Sequence, residues 1–558
     1  ADYIKNYSFR QDERDKRFRL MAMNRFNVKA IPGLSVGLNA QWALDSTSEN
    51  LFWVNYPEKA LVPNPDFRTN LNILRYHVDP SISYTRGNTT WQYQGRVFNR
   101  QFLYTPDTAW KDENRSGYTL INRNIGALAF YNDVIVKHSL WSDRLQVVEG
   151  LNYTRTWIDG RRDFGKGFQD QLAAFAQARL ELGRLSLTLG ARWQFEQISG
   201  DTTRTADAKG LMADSNQLKL ITMNQPVFRA GLNYRAHKAT FLRASFGQAV
   251  RSPSAIERFT SYAVGPITIL PNPDIRLERG WTAEVGVRQL YEFGSRKQFR
   301  GYLDLCGFTQ QFRDMIEFWV DTQYLLKQGK TGFKATNLSR ASVSGVEGDF
   351  ALEWKARPDF TLALTSGFTW IRPVDEDGKK SWDGDDSSSV ITDAFVQAAG
   401  LADPVFGAIL QPMQEFPQDR PYTLKYRNTF TTRSALNLEY KWFTLTVNHR
   451  YTSFMENVDK LLLVDLLGAN LTLKGGTKVP LTQQLIDQFG FGRLFQDTKQ
   501  FRQDNPGGWH EFDLTAGYRN DHLHLTFHVF NLTNVEYTTL PGRLGAQRSF
   551  AIQAKYTF

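Results

Sequence analysis

The sequence predicts an all-β chain, a transmembrane antiparallel β-barrel with long extracellular loops and short periplasmic turns. Three observations predict it. The first is strict alternation. From Arg184 to Glu196, Leu185, Leu187, Leu189, Ala191, Trp193 and Phe195 fall on one face, and Arg184, Ser186, Thr188, Gly190, Arg192, Gln194 and Glu196 on the other. Successive side chains of a strand point to opposite faces, and a face so apolar opposite one so charged fits lipid outside and water inside. The second is the spacing of turns, short and long in alternation, as outer-membrane barrels have them. The third is the absence of any run near the roughly 18 apolar residues that a membrane helix needs, although 41% of residues are hydrophobic and 14% aromatic. A wall in which every second residue meets lipid, with aromatic girdles at its rims, reconciles the two.

The elements follow in order. Residues 1–17 are polar and carry charges of both signs; Phe18 to Val28 reads as a strand, Ile31-Pro-Gly33 as a turn and Leu34 to Trp42 as the partner strand. A polar stretch runs from Asp45 to Asn70. Short turns then fall near Gly87-Asn88, Ser142-Asp143, Gly183, His237-Lys238, Gly294-Ser295, Arg357-Pro358, Lys441-Trp442 and Asn520-Asp521. Long loops fall near 105–117, 158–168, 198–224, 251–277, 319–334, 375–421, 458–508 and 532–546. Within the loops, Leu461 to Leu467 and Leu481 to Phe489 read as short helices. From Phe443 the pattern is again Phe443, Leu445, Val447 and Tyr451 against Thr444, Thr446, Asn448 and Arg450. Three alternating segments close the chain, the last placing Phe550, Ile552, Ala554, Tyr556 and Phe558 on one face. The count is about 19 strands of membrane-spanning type.

Composition narrows the function. The 558 residues contain no stretch that reads as an interdomain linker. The single cysteine, Cys306, excludes an internal disulfide and a cysteine-based metal cluster; it reads as a small wall residue. The net charge of +10 has nucleic-acid binding as its generic reading. Lysine and arginine are spread among strands and loops without a compact basic motif, so a basic lumen that attracts anionic solute is the better account. No Gly-x-Ser-x-Gly, His-Glu-x-x-His or phosphate-binding glycine loop is present, and the chain reads as non-enzymatic.

Three ordered motifs carry a resemblance. Phe530-Asn-Leu-Thr-Asn-Val-Glu-Tyr537, a glycine-containing loop, Arg548 and an aromatic-terminated strand form the first. Gly247-Gln-Ala-Val-Arg-Ser-Pro-Ser-Ala-Ile-Glu257 with Asn272-Pro-Asp-Ile-Arg-Leu-Glu278 form the second, and Asn337, Ala341 and Gly345-Val-Glu347 the third. Together they resemble the TonB-dependent outer-membrane receptors. The resemblance implies a barrel of about 22 strands, an N-terminal plug, an inner-membrane TonB-type protein that drives the plug, and active import of a scarce solute. It also implies an outer-membrane setting among lipid and lipopolysaccharide, sometimes with a surface lipoprotein, and Tyr556 and Phe558 as an assembly signal. No segment of residues 1–558 reads as the plug, and strand parity leaves the first strand without its upstream neighbour. The start at Ala1-Asp-Tyr-Ile, without a signal peptide, fits a mature or truncated form.

Within this frame the solute is expected to be a ferric siderophore or similar chelate. Haem receptors of the family place a ligating histidine between the two boxes, and here Ser254 to Pro271 contains none. Phe259, Tyr262, Trp370, Trp382, Phe406, Phe416 and Tyr422 lie in or beside the long loops and could stack on a ligand, or belong to a girdle. His522, His524 and His528 share the polar face of one strand and could bind a metal, or pack in the lumen. Asp375 to Asp386 is acidic and could hold Ca²⁺, or be solvated. The rival from another class is a plugless barrel serving as a passive pore or a structural part of an outer-membrane complex.

Overall fold

The computed structural model describes residues 2–4, 14–50, 68–106, 123–160, 165–201, 218–259, 262–264, 267–320, 331–377, 422–458, 470–472, 478–480, 500–540 and 543–557. Its main sheet has 22 strands. Three of them are short, Asp2–Ile4, Tyr262–Val264 and Ile267–Leu270, and the remaining 19 are the wall. In chain order the wall strands are β1 (Arg14–Asn27), β2 (Leu34–Asn50), β3 (Arg68–Arg86), β4 (Thr89–Pro106), β5 (Arg123–Leu140), β6 (Leu145–Gly160) and β7 (Gly165–Leu182). There follow β8 (Leu185–Asp201), β9 (Leu218–Arg235), β10 (Thr240–Arg251), β11 (Glu278–Phe293), β12 (Phe299–Val320) and β13 (Thr331–Arg357). The last are β14 (Phe360–Asp375), β15 (Phe430–Tyr440), β16 (Phe443–Thr452), β17 (Trp509–Arg519), β18 (Leu523–Phe530) and β19 (Ser549–Tyr556). Each pairs antiparallel with the next, which gives a barrel-like sheet. The alternation therefore counts the wall correctly, and the figure of 22 is reached only by including the three short strands.

The short connections fall where the sequence places them, all at one end. The backbone at Gly33 and Gly183 lies at φ 85° and 62°, where a side chain would be strained. The register confirms the two faces. Leu187 lies opposite Leu180 on β7 and Leu232 on β9. Leu189, Val285 and Ile552 are 64%, 69% and 74% exposed, the mark of residues whose neighbours are lipid rather than protein. Ion pairs line the opposite face: Asp304 on β12 receives Arg243 of β10 at 2.6 Å and Arg288 of β11 at 2.6 Å.

Aromatic rings fix the membrane position. At the short-turn end Phe293, Phe299, Trp354, Phe360 and Tyr440 form a chain of ring contacts with centroids 4.9, 5.8, 5.9 and 6.3 Å apart. At the other end Trp281 meets Phe246 at 6.0 Å, and Trp157 meets Phe130 at 5.3 Å. Phe293 and Trp281 bound β11 roughly 12 residues apart, about 40 Å along a strand. At a tilt of about 40° that is about 30 Å along the membrane normal, close to the apolar band of such barrels.

The ladder between β3 and β4 has one gap. Val78 pairs with Val97 and Ser81 with Gln94, but Asp79 and Pro80 form no bridge to the facing Arg96 and Gly95. Proline has no amide hydrogen to give. A side-chain clamp spans the gap instead: Arg96 donates to both carboxylate oxygens of Asp79, at 2.8 and 2.7 Å, and His77 Nδ1 lies 3.0 Å from Asp79.

The loop helices expected at 461–467 and 481–489, and most of the acidic loop at 378–386, lie outside the described residues. The face assignment makes a direct prediction. Leu189→Arg puts a charge in lipid at a cost of about 2–4 kcal/mol near the midplane, whereas Thr188→Arg, one residue away on the inner face, is tolerated. Heat-modifiable mobility of the two variants checks it: loss of the folded band for Leu189→Arg alone is expected.

Candidate functional site

The family-like boxes form one hydrogen-bonded junction at the long-loop end of β10 to β13. After β10, Ser254 starts the helix α1 (Ala255–Phe259) with a capping box. The Ser254 amide and hydroxyl donate to Glu257 Oε2 at 2.7 and 3.0 Å, and the Glu257 amide donates back to Ser254 Oγ at 3.3 Å. Arg251 closes on Glu257 at 2.9 Å and on Glu278 at 3.7 Å. Glu278 in turn accepts the Ile316 amide at 2.8 Å. Burial alone would raise the Glu257 carboxyl, but the bonds from Arg251 and Ser254 outweigh it and hold it below its ordinary value.

Asn272 and Asn337 fasten the rest of the loop. Asn272 donates to the Ala335 carbonyl at 2.7 Å. Asn337 accepts the Arg276 amide at 2.8 Å and donates to the carbonyls of Arg276 and Asp314 at 2.9 and 2.8 Å. Asp314, at φ 56°, leaves one missing bridge in the β12–β13 ladder without changing its register, and takes Arg276 at 2.6 Å. The C-terminal motif works in the same way. Asn531 accepts the Val535 amide at 2.9 Å and donates to the carbonyls of Val535 and Ala546 at 3.0 Å each, and Asn534 accepts the Arg548 amide at 2.9 Å. These motifs hold backbone; they do not present chemistry.

The sequence-predicted aromatics are dispersed. Phe259 is 2% exposed and packs on Ile198 and Ala255, so it offers no ring to a ligand in this arrangement. Trp370 stands on the outer face of β14 beside Val346 and Phe430, 46% exposed, a girdle position. Tyr422 is half-buried, its carbonyl accepting the Asp375 amide at 2.7 Å. Tyr262 belongs to the short strand paired with Ile267–Leu270, and its side chain, with Trp382, Phe406, Phe416 and Phe558, lies outside the described residues.

The three histidines have separate partners. His522 Nδ1 lies 3.3 Å from the Thr557 carbonyl, and His528 Nδ1 lies 3.0 Å from Thr515 Oγ1 with its ring stacked on Phe530. His524 faces Arg519 and Lys555 across the ladders. At about 3.3 Å per residue they spread over roughly 20 Å of strand, too far for one ion. Among the described residues no three His, Cys, Asp or Glu side chains gather to hold a metal. Tyr556, on the outer face of β19, is 59% exposed.

Two features escape sequence reasoning. One is a cavity of about 480 Å³ at the long-loop rim, lined by Phe454, Arg502, Trp509, His510 and Tyr537 among others. Arg502 lies over the Phe454 ring at 4.3 Å and donates to the Met455 carbonyl at 2.9 Å; burial lowers its pKa to about 10. The other is on the lumen wall. Arg192 donates to Asn152 Oδ1 at 2.8 Å, and Arg229 donates to Gln177. Arg192 falls on the polar face read from the sequence, and only the register shows what the two arginines meet.

The junction generates two predictions. Asn337→Ala leaves three backbone groups without their partner and destabilises the 252–277 loop by roughly 2 kcal/mol, read as earlier proteolysis there with the barrel still heat-modifiable. Because the folded Glu257 carboxyl sits below its ordinary value of 4.5, its contribution is complete above that value. It is lost as pH falls through the folded one. Protease susceptibility at 252–259 should rise only in acid for the parent, and already at neutral pH for Glu257→Gln.

A comparison with family models matches residues 33–532 to the TonB dependent receptor-like beta-barrel. Among solved structures, the copper transporter OprC aligns at TM-score 0.63 and 12% identity, covering 98% of this chain and 72% of that one. The ferric-catecholate import receptor Fiu from E. coli K12, in its closed form, aligns at 0.62 and 13%, covering 99% and 76%. The ferric yersiniabactin uptake receptor FyuA from Yersinia pestis aligns at 0.61 and 12%, covering 98% and 71%. At these identities the structures share the fold alone, and no curated protein sequence matches the chain. The family model covers most of the chain, and the protein belongs to the TonB-dependent receptor family through its β-barrel.

Proposed function

We propose that this barrel serves active import of a scarce anionic solute, a ferric siderophore or similar metal chelate, across a bacterial outer membrane. The observation that carries the reading is the stretch of lumen wall on β8 and β9 where Arg192 and Arg229 meet neutral amides, beneath long loops at one end. An anionic chelate is drawn to positive charge that the wall does not itself neutralise. Siderophore, haem-carrier and copper proteins among the structural neighbours support a metal-bearing solute as the class. Coupling requires a plug, carried upstream or on another chain, and a TonB-type protein that pulls on it. Lipopolysaccharide around the outer girdle and a surface lipoprotein over the long loops are compatible partners. The exposed Tyr556 and the terminal Phe558 are proposed to guide assembly of the barrel into the membrane.

Uptake of ⁵⁵Fe-labelled siderophores by iron-starved cells, with and without proton-motive force, tests the reading. Energy-dependent accumulation lost on deletion of the protein is expected. Solute entry that continues unchanged after the force is collapsed would mean a passive pore. Deleting Phe558 should lower the yield of heat-modifiable barrel in the outer membrane, measured by quantitative blotting.

A further inference from the structure

We propose that Arg279, Arg313 and Arg340 form a phosphate site on the outer face of the barrel, taking the phosphorylated head of an outer-leaflet glycolipid. The site rests on the outer-membrane setting of the importer reading and not on import itself. Register puts the three side chains in one row. Arg279 on β11 lies directly opposite Arg313 on β12, and Arg313 directly opposite Arg340 on β13. Alternation fixes their face. Arg279 shares it with Trp281 and Val285, Arg313 with Leu303 and Leu305, and Arg340 with Val346 and Trp354, all exposed apolar residues of the lipid side.

Depth places the row among headgroups. Trp281 belongs to the girdle at the long-loop end, and Arg279 stands two residues beyond it toward the loops. That is about 5 Å further along the membrane normal at a strand tilt of about 40°. In the row below, Trp281 faces Gln311 and Gln311 faces Ser342, so the apolar band has already ended on β12 and β13. On β14, Arg372 stands two residues above the girdle residue Trp370 in the same way and extends the basic patch.

The row is short of counter-charge. Like charges directly opposite one another are destabilising, and Arg313 has an arginine on each side. All three residues are exposed. Among the described residues one carboxylate bonds to the row: Asp377 Oδ1 accepts from Arg340 Nε at 3.0 Å and Nη2 at 2.7 Å. The carboxylates nearby are engaged elsewhere, Glu376 by Ser342 and Asp314 by Arg276 at 2.6 Å. The lumen face is built the other way, with Arg243 and Arg288 converging on Asp304. A phosphate brings about −1.5 to −2 charges and three acceptor oxygens. Opposed Cβ atoms stand about 5 Å apart, so one phosphate bridges two guanidinium forks and relieves their repulsion with bidentate bonds. Phosphates crowded on a membrane surface need cations between them. Here the wall supplies the cations, so the lipid is held without a divalent metal ion.

The test uses the full chain in detergent, titrated with lipid and read by native mass spectrometry. The probes are bisphosphorylated lipid A, lipid A stripped of both phosphates, and inorganic phosphate as competitor. In the parent the bisphosphorylated form should bind about tenfold more tightly than the stripped form or better, and EDTA should leave that preference unchanged. Arg279→Gln and Arg313→Gln should each remove most of the preference, and Arg313→Lys less of it. Arg179→Gln, whose arginine pairs with Glu181 at 2.6 Å near the short-turn end, serves as the control and should bind like the parent. Heat-modifiable mobility confirms that each variant is folded. The proposal is overturned if the parent does not distinguish the two lipids, as when the chain's own acidic segment at 378–386 already covers the row. It is equally overturned if the double variant Arg279→Gln, Arg313→Gln keeps the parent's preference, or if EDTA abolishes it. Displacement of the lipid by inorganic phosphate at equal concentration would overturn it in favour of a free-anion site. Passive uptake with the lipid preference intact would overturn the importer reading and leave the lipid site standing.

Discussion

In hydrocarbon a backbone amide has no water to turn to, so every amide and carbonyl in the lipid must find a partner in the next strand. The rest of the molecule follows from that constraint. It forces one continuous ladder, and the ladder forces alternation, because a strand paired on both sides has only two directions left for its side chains. Lipid takes one direction and the lumen the other. The faces of Leu185 to Phe195 and Arg184 to Glu196 are thus two sides of one requirement.

This explains what sequence could show. Wall strands, their count, their short turns and the sign of each face are local properties, written at period two, and they are read correctly from Phe18 to Tyr556. The motifs at 247–278, 337–347 and 530–537 could be recognised but not understood from sequence. Asn337 holds Arg276, 61 positions away, and no local pattern announces such a bond. The two readings of Phe259 and Trp370, ligand or girdle, stay open in the sequence for a related reason. An aromatic residue beside a loop has the same local signature whether it meets a ligand, a girdle or a neighbouring strand. Here Phe259 is covered by the wall of β8, while Trp370 belongs to the wall itself.

The lumen is organised by what each arginine reaches. Most inward arginines extend sideways along the wall to a carboxylate on the next strand or two, which neutralises them where they stand. The wall near β8 and β9 departs from this habit, ending on amides. There Arg192 and Arg229 carry charge that the wall does not itself neutralise. Composition gave the excess of ten positive charges; register determines where some of it faces the lumen.

The clamp at Asp79 and Arg96 has its own consequence. Here the wall is joined by side chains whose attraction passes through the lumen rather than by peptide groups shielded within the sheet. Mobile ions weaken a partly exposed ion pair but leave a backbone ladder almost untouched. The amides flanking Pro80, at Val78 and Ser81 on β3 and at Gln94 and Val97 on β4, thus border a seam whose breathing follows the ionic strength of the fluid inside the barrel. In hydrogen exchange this seam would behave as a local gauge of lumen salt beside strands whose ladder is continuous.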